Sequence, residues 1–210
     1  MLTLAVDTAA ETGSIALADG DRVLEMFRLE APGGFGQALF GELEALLTRC
    51  GVRLADVELY AAASGPGSFT GVRIGLAAVK GLAEVAGKPA VGISNLEALA
   101  QFGTGELRAP VMDARRGEVF AALYDAAGAE IIPASVLKLA AFVEMVGDRA
   151  VEYITTGFDL QRPATVATPE LAGMIARLAM ARRLAGAVCD PASMEANYVR
   201  RSDAEIFLKE

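Results

Sequence analysis

A glycine-rich stretch of eleven residues, GPGSFTGVRIG at positions 65–75, is the feature that most constrains how this chain folds. An apolar run precedes it, Leu59–Ala63, which is short enough for a buried strand. Val72–Val85 follows and consists almost wholly of apolar and small residues, which indicates a helix. Gly65-Pro66-Gly67 predicts a tight turn between the two, because glycine adopts backbone angles that other residues avoid and proline fixes its own. The stretch therefore predicts a strand, a sharp corner and a helix in direct succession.

The predicted corner offers backbone N–H groups to a ligand. We expect Ser68 or Thr70 to cap the helix, and the remaining free N–H groups then point at one spot, where an anion or a partner's carboxylate can bind. The pattern is not a Walker A loop, because Val72 and Arg73 follow Gly71 where that loop has lysine and serine or threonine. The glycines alone favour the other interpretation, a corner without a ligand. The residues set apart for this turn are Gly65, Pro66, Gly67, Ser68, Thr70, Gly71 and Arg73.

The helix after the corner carries charge on one narrow side only. Its charged residues are Arg73, Lys80 and Glu84, and small residues keep the helix thin. A helix with so little polar surface must be covered on nearly all sides. The pattern leaves two interpretations equally open, a helix enclosed within one domain and a helix at a subunit interface. The small residues are Gly75, Ala77, Ala78 and Gly81.

The composition excludes several classes of protein. A chain of 210 residues with 53% hydrophobic content can enclose a sizeable core, and 22% charged residues with a mean hydropathy of +0.39 are unlike a disordered chain. The absence of histidine excludes Ser-His triads, histidine general bases and imidazole-bound zinc, so we reject a protease. A net charge of −8 without a basic block argues against a chain that grips tRNA mainly by itself.

The sequence also predicts a compartment. Cys50 and Cys189 lie far apart and form no metal-like or redox pair, which is typical of reduced, cytosolic cysteines. The N-terminus has no cationic start and reaches Asp7 too early for a signal peptide. No apolar run reaches about 18 residues without a charge, so we expect a soluble cytoplasmic protein without a membrane span.

Four segments resemble the bacterial TsaB (YeaZ) family. In chain order they are LAVDT at 4–8, the glycine-rich stretch at 65–75, DARRGEVF at 113–120 and NYVR at 197–200. The resemblance implies an α/β chain with the actin-like, Hsp70-like (ASKHA) ATPase fold, in which two related lobes have mixed sheets flanked by helices. It also implies a non-catalytic partner subunit required for threonylcarbamoyl transfer to adenosine 37 of tRNA. Such a subunit pairs with and activates the catalytic paralogue TsaD, together with the ATPase TsaE.

A weak internal repeat supports two lobes. Pro110–Asp113, a polar turn and Glu118–Tyr124 repeat the order of strand, aspartate, turn and strand that opens the chain. We assign an N-terminal actin-like lobe to 1–103 and a reduced C-terminal lobe to 104–210, divided at a glycine-rich linker. The tail from about residue 190 is expected to pack back on the first lobe.

The resemblance singles out candidates for nucleotide contact, namely Asp7, Thr8, Gly13 and Asp113. In actin-like ATPases the hairpin that corresponds to the link after Asp7 holds phosphates and, through its aspartate, a magnesium ion. Asp7 and Thr8 can equally cap that hairpin by bonding their own backbone. Thr156-Gly157 is at best a degraded adenosine-binding turn, so we expect no required cofactor. Weak ATP or ADP binding with Mg²⁺ at the complex interface stays open.

The pairing surface is predicted on two helices, at 37–50 and 72–85, whose apolar positions would dock on the paralogue. Without the paralogue the same faces would form a two-fold homodimer. Contact with tRNA would be indirect or weak, and no membrane is involved. The predicted interface positions are Leu39, Leu43, Leu46, Val72, Gly75, Leu76, Ala78, Val79 and Leu82.

A charged hairpin in the second half of the chain leaves two interpretations. Arg115, Arg116 and Glu118 can present a fixed guanidinium to a phosphate or to a partner's acid. They can equally form a solvated hairpin tip, with an arginine bound to Asp113 or Glu118.

A second function also follows from the fold. The chain would then be a stand-alone ATP-dependent phosphotransferase or ATPase, with Asp7 and Asp113 as its catalytic carboxylates.

Overall fold

The computed structural model describes residues 1–30 and 34–199, which form two compact units. The first unit comprises Met1–Asn95 and Glu170–Asn197, and the second comprises Leu96–Pro169 with the described residues Tyr198 and Val199. The first division falls after Asn95, where the sequence predicted a boundary after residue 103, and the chain returns to the first unit at Glu170 for its last described helix.

The described elements run in chain order as β1 (Leu2–Asp7), β2 (Gly13–Asp19), β3 (Arg22–Leu29), α1 (Phe35–Cys50), β4 (Leu59–Gly65), α2 (Phe69–Ala86), β5 (Ala90–Ser94), α3 (Asn95–Ala100), β6 (Leu107–Asp113), β7 (Val119–Asp125), β8 (Glu130–Leu137), α4 (Leu139–Val146), β9 (Glu152–Thr155), β10 (Thr165–Val166) and α5 (Ala172–Leu184). Short 3₁₀ turns lie at Leu54–Asp56 and Pro191–Ser193.

Each unit contains one five-stranded mixed sheet, and the two sheets share one topology. The order is β3-β2-β1-β4-β5 in the first and β8-β7-β6-β9-β10 in the second. In both, the first strand of the unit pairs antiparallel with the hairpin that follows it and parallel with the strand on its other side. The first strands β1 and β6 end at Asp7 and Asp113. The shared order is the internal repeat that the sequence predicted.

Local sequence explains where the main elements of the first unit turn and end. The hairpin of β2 and β3 pairs Asp19 with Arg22, and Gly20 in its turn has a φ of 58°. α1 and α2 end at Gly51 and Gly87, whose φ values of 64° and 61° are the left-handed conformation of a helix C-cap. Gly51 is the helix stop expected from the sequence.

Helices cover the sheet of each unit. In the first unit α1 packs on β2 and β3, α2 packs on β1, β4 and β5, and α5 packs on β1, β2 and β4. In the second unit α4 buries Phe142 among residues of β6 and β7, and α3 buries Leu96 and Leu99 on the opposite face of that sheet. No helix within the described ranges is long and apolar enough to cross a bilayer.

Candidate functional site

The glycine-rich stretch forms the predicted corner between β4 and α2. Gly65 ends the strand with a φ of 96°, and the Gly65–Pro66 peptide bond is cis. Ser68 is the N-cap of α2, and its hydroxyl oxygen accepts a hydrogen bond of 3.2 Å from the N–H of Gly71. The capping prediction is therefore confirmed at Ser68, while Thr70 lies exposed in the first turn.

Three glycines of this stretch lie against the loop that follows β1. A Cβ on Gly67 would overlap the carbonyl oxygen of Ala9, and a Cβ on Gly71 would overlap that of Thr8. A Cβ on Gly75 would lie 2.6 Å from the hydroxyl of Thr8. That hydroxyl donates a hydrogen bond of 2.7 Å to the carbonyl of Gly71. Gly67 and Gly71 are needed here because backbone packs directly on backbone, and Gly75 is needed because the Thr8 side chain lies against it.

Asp7 lies in a buried hydrogen-bond network beside this corner. Its carboxylate accepts from the N–H of Ala9 at 2.9 Å and from Asn95 Nδ2, which is 3.2 Å from each oxygen. Asn95 Oδ1 in turn accepts from the N–H of Gly65 at 3.0 Å. Burial raises the pKa of Asp7 from 3.8 to about 6, and the hydrogen bonds from Ala9 and Asn95 lower it only in part.

Sequence reasoning missed Asn95. The signal that could have found it is positional: β1, β4 and β5 are parallel neighbours, so the residues at their carboxyl ends meet at one edge of the sheet. Asp7, Gly65 and Asn95 are the residues at or next to those three ends.

The nucleotide candidates are arranged as internal contacts in the first unit. Asp7 and Thr8 are buried, and their side-chain oxygens bind the protein's own groups. Gly13 lies under the ring of Phe35, where a Cβ would come within 2.7 Å of a ring carbon. These residues of the first unit do not fit a magnesium-bound phosphate. Asp113 belongs to the second unit, where it is 38% exposed and accepts from the N–H of Arg115 at 2.8 Å.

The predicted interface residues are core residues, which corrects the sequence-based assignment. Eight of the nine positions are buried in the first unit, with Leu39 and Val79 at 1% and 0% exposure, and Leu82 is half-buried. Their apolar stripe faces the sheet, because burying apolar surface stabilises the fold of the single chain. The other buried positions are Leu43, Leu46, Val72, Gly75, Leu76 and Ala78.

α1 and α2 contact one another, and their exposed sides carry a different set of residues. Phe40 is 56% exposed on α1 and Phe69 is 38% exposed on α2. The guanidinium carbon of Arg73 lies 3.6 Å from the centre of the Phe69 ring, a cation–π contact. Ala77 and Gly81 continue this exposed side of α2. We call these five residues the outward face.

The charged hairpin connects β6 to β7. Arg115, Arg116 and Gly117 have φ values of 65°, 57° and 73°, so three successive residues are left-handed. The guanidinium of Arg115 lies 3.7 Å from the carboxylate of Asp113, and both side chains are exposed. The N–H of Ala114 donates to the carbonyl of Glu118 at 3.0 Å. An exposed pair of this kind adds little stability.

The late part of the chain lies along the edge of the first sheet. The N–H of Ala90 donates to the carbonyl of Cys189 at 3.1 Å, and the N–H of Asn197 donates to the carbonyl of Ser64 at 2.7 Å. The guanidinium of Arg182 donates to the carbonyl of Gly92 at 3.1 Å. The tail predicted from about residue 190 extends beyond the described residues, which end at 199, and in its described part Asn197 contacts Ser64 of the first unit.

Comparison with known proteins gives the family. The family "TsaD: tRNA N6-adenosine threonylcarbamoyltransferase" matches residues 35–194. The tRNA threonylcarbamoyladenosine biosynthesis protein TsaB of Bacillus subtilis (strain 168) is 32% identical over 164 residues, which are 76% of this chain and 72% of that protein. The protein of the same name from Escherichia coli (strain K12) is 41% identical over 128 residues, 59% of this chain and 55% of that protein. The match thus spans about half the length of the Escherichia coli relative.

Solved structures agree with this match. A Pseudomonas aeruginosa protein described as similar to peptidase YEAZ superposes with a TM-score of 0.79 at 27% identity, covering 95% of this chain and 99% of that one. YeaZ from Pseudomonas aeruginosa gives 0.75 at 29% identity, covering 91% and 96%. The ethanolamine utilization protein EutJ from Carboxydothermus hydrogenoformans, with a TM-score of 0.52 at 12% identity over 86% and 89%, shares the fold alone. The predicted actin-like fold is confirmed, and this chain belongs to the TsaB (YeaZ) family.

Proposed function

We propose that this chain is a non-catalytic partner subunit in the formation of threonylcarbamoyladenosine at adenosine 37 of tRNA. It pairs with the catalytic paralogue TsaD and activates it together with the ATPase TsaE. The proposal is supported by the family, whose curated relatives carry the name of tRNA threonylcarbamoyladenosine biosynthesis proteins. The match of residues 35–194 to the transferase family supports a paralogue as the partner, because related subunits can pair through equivalent surfaces.

The observation that carries the pairing is the outward face. Phe40 and Phe69 expose aromatic surface on two adjoining helices, and aromatic residues are enriched where proteins bind one another. Ala77 and Gly81 lie between the charged positions of α2 and leave its backbone close to the surface. A Cβ on Gly81 meets nothing within 4 Å, so a helix of the partner can approach there closely.

In this proposal the chain works in the cytoplasm and needs no cofactor of its own. Alone it self-associates through the outward face as a two-fold homodimer, and it contacts tRNA only weakly or through its partners. The net charge of −8 supports the last point, because phosphate binding draws on basic patches.

The test is the substitution Ala77→Arg, which puts a long charged side chain at the centre of the outward face. We expect it to abolish association with TsaD, measured by sedimentation velocity. We also expect the variant no longer to stimulate the threonylcarbamoyl transfer that TsaD catalyses in the presence of TsaE. The matched control is Ala181→Arg, since Ala181 is also an exposed alanine in a helix of the first unit. The free energy of unfolding of both variants should lie within about 0.5 kcal/mol of that of the wild type.

The proposal fails if Ala77→Arg pairs and stimulates as well as Ala181→Arg does. It also fails if the purified chain transfers or hydrolyses phosphate unaided, or binds Mg-ATP tighter than millimolar in calorimetry. Unaided phosphate transfer or hydrolysis, or such binding of Mg-ATP, would instead support the stand-alone ATPase.

A further inference from the structure

We propose that Asn95 is a positioning residue that sets the glycine-rich corner and, through it, the exposed start of α2. Phe69 and Arg73, at that start, belong to the outward face, so this inference rests on the proposed pairing. Asn95 lies outside the glycine-rich stretch and is completely buried. It is the first residue of α3 and follows β5 directly.

The amide of Asn95 joins the carboxyl ends of three adjacent parallel strands. Nδ2 donates to the carboxylate of Asp7 at the end of β1, at 3.2 Å to each oxygen. Oδ1 accepts from the N–H of Gly65 at the end of β4, at 3.0 Å. Asn95 itself follows the end of β5. A single side chain therefore fixes the spacing of these strand ends.

The ends of β1 and β4 also position the start of α2. Gly65 opens the corner that leads to Ser68, the N-cap of the helix. Thr8 and Ala9 follow Asp7 directly, and Gly67 and Gly71 pack on their backbone carbonyls without room for a Cβ. The N–H of Ser68 also donates to the carbonyl of Ala9 at 2.6 Å. Asn95 thus holds both the strand before the helix and the loop on which the helix starts.

The chemistry of the site requires one donor and one acceptor in a single short side chain. The carboxylate of Asp7 accepts hydrogen bonds, and the N–H of Gly65 donates one. Only the amide of asparagine supplies Nδ2 to the first and Oδ1 to the second at this reach. In the buried interior a donor or acceptor without a partner costs its full desolvation free energy. A mismatched side chain at this position should therefore displace the corner.

The experiment exchanges the two side chains. Asn95→Asp removes the donor to Asp7 and sets two carboxyl groups against each other. Asp7→Asn keeps Oδ1 as the acceptor for Ala9 and Asn95 but sets an NH₂ group against Asn95 Nδ2 in place of Oδ2. The double variant D7N/N95D restores the pairing, since the amide at position 7 accepts from Ala9 and donates to the carboxylate at position 95, which accepts from Gly65. We expect each single variant to weaken association with TsaD about tenfold or more, and the double variant to recover to within about threefold of the wild type.

A destabilised control separates positioning from general loss of stability. Leu17 is buried in β2 of the same unit, away from the corner, and Leu17→Ala should lower the free energy of unfolding without changing association of the folded protein. Association is measured under conditions in which urea titration shows each variant to be fully folded. If Asn95→Asp associates like the wild type, or if Leu17→Ala weakens association as much, Asn95 has no positioning role.

A second measurement keeps this inference separate from the proposed function. Amide chemical shifts of residues 68–73 in the isolated chain report the geometry of the corner without any partner. We expect them to move in both single variants and to return in the double variant. Absence of association by the wild type would overturn the proposed function, whereas unmoved shifts in Asn95→Asp would overturn the positioning role.

Discussion

Asp7 is an acidic residue that the first unit keeps out of water. Because burial disfavours the charged form, the pKa of this carboxyl rises from 3.8 in the unfolded chain to about 6 in the folded protein. Below about pH 4 the group is protonated in both states and costs nothing. As the pH rises from about 4 to about 6 the folded protein loses stability, because the unfolded chain ionises first, and above about pH 6 the loss is complete. The loss amounts to about 3 kcal/mol at 1.36 kcal/mol per pKa unit.

The substitution Asp7→Asn removes this titration and tests the sign. We expect the free energy of unfolding of the wild type, minus that of the variant, to fall as the pH increases from about 4 to 7. Urea denaturation at several pH values measures both. The absolute stability of the variant does not enter the test, since only the slope of the difference is compared. A difference that stays constant or rises with pH would contradict a raised pKa.

Local chemistry could be predicted at single residues, and contacts across the sheet could not. Ser68 was predicted as a cap because capping depends on residues three apart in sequence. For Asp7 the sequence left a nucleotide ligand and a backbone cap equally open, and its contact with Ala9 has the geometry of the cap. Asn95 could not be linked to Asp7 because they are distant in sequence and meet only once β1, β4 and β5 are paired.

α2 is an element whose sequence is explained by its position as well as by its helix propensity. Glycine usually weakens a helix, yet Gly71 and Gly75 recur where α2 contacts the loop after β1. Gly81 lies on the outward face and has open space around it. The same residue type thus has two roles in one helix, close packing inside and a low profile outside.

Alanine substitution distinguishes the two roles. Gly71→Ala should lower the free energy of unfolding by about 2–3 kcal/mol, because the new Cβ overlaps the backbone carbonyl of Thr8 and one segment must move. Gly81→Ala in the same helix should raise it by about 0.5–1 kcal/mol, because alanine favours the helix and meets nothing. Urea denaturation of the isolated chain measures both. Equal effects of the two changes would show that α2 does not pack on that loop.

The existence of α1 and α2 followed from apolar periodicity, and their covered side did not. Periodicity locates an apolar stripe such as that of Leu39, Leu43 and Leu46, but it does not say whether the sheet or a partner covers it. In the structure the apolar stripes of both helices pack against the sheet. Phe40 and Phe69, which we propose for the partner, lie outside the buried stripe as exposed aromatic residues and break the amphipathic pattern.

At the scale of the whole molecule, one strand order built twice accounts for most of the chain. The repeat was visible in sequence as strand, aspartate, turn and strand, since those signals are local. The return of α5 was not visible, because an apolar helix face carries no information about which sheet it will cover. In the structure α5 buries Ala172, Ile175 and Ala179 in the first unit, and the N–H of Ala172 donates to the hydroxyl of Ser14 at 3.1 Å.

Hydrogen exchange with Ile175→Ala tests to which unit α5 contributes its stability. Ile175 is fully buried, so the truncation should cost about 2–5 kcal/mol. Because α5 packs on β1, β2 and β4, amides of those strands should lose protection in exchange measured by mass spectrometry, while β6 and β7 keep theirs. Ala181→Gly, at an exposed position of the same helix, controls for helix propensity and should cost only about 1 kcal/mol. If β6 and β7 lost protection first, α5 would stabilise the second unit, as the predicted boundary after residue 103 implied.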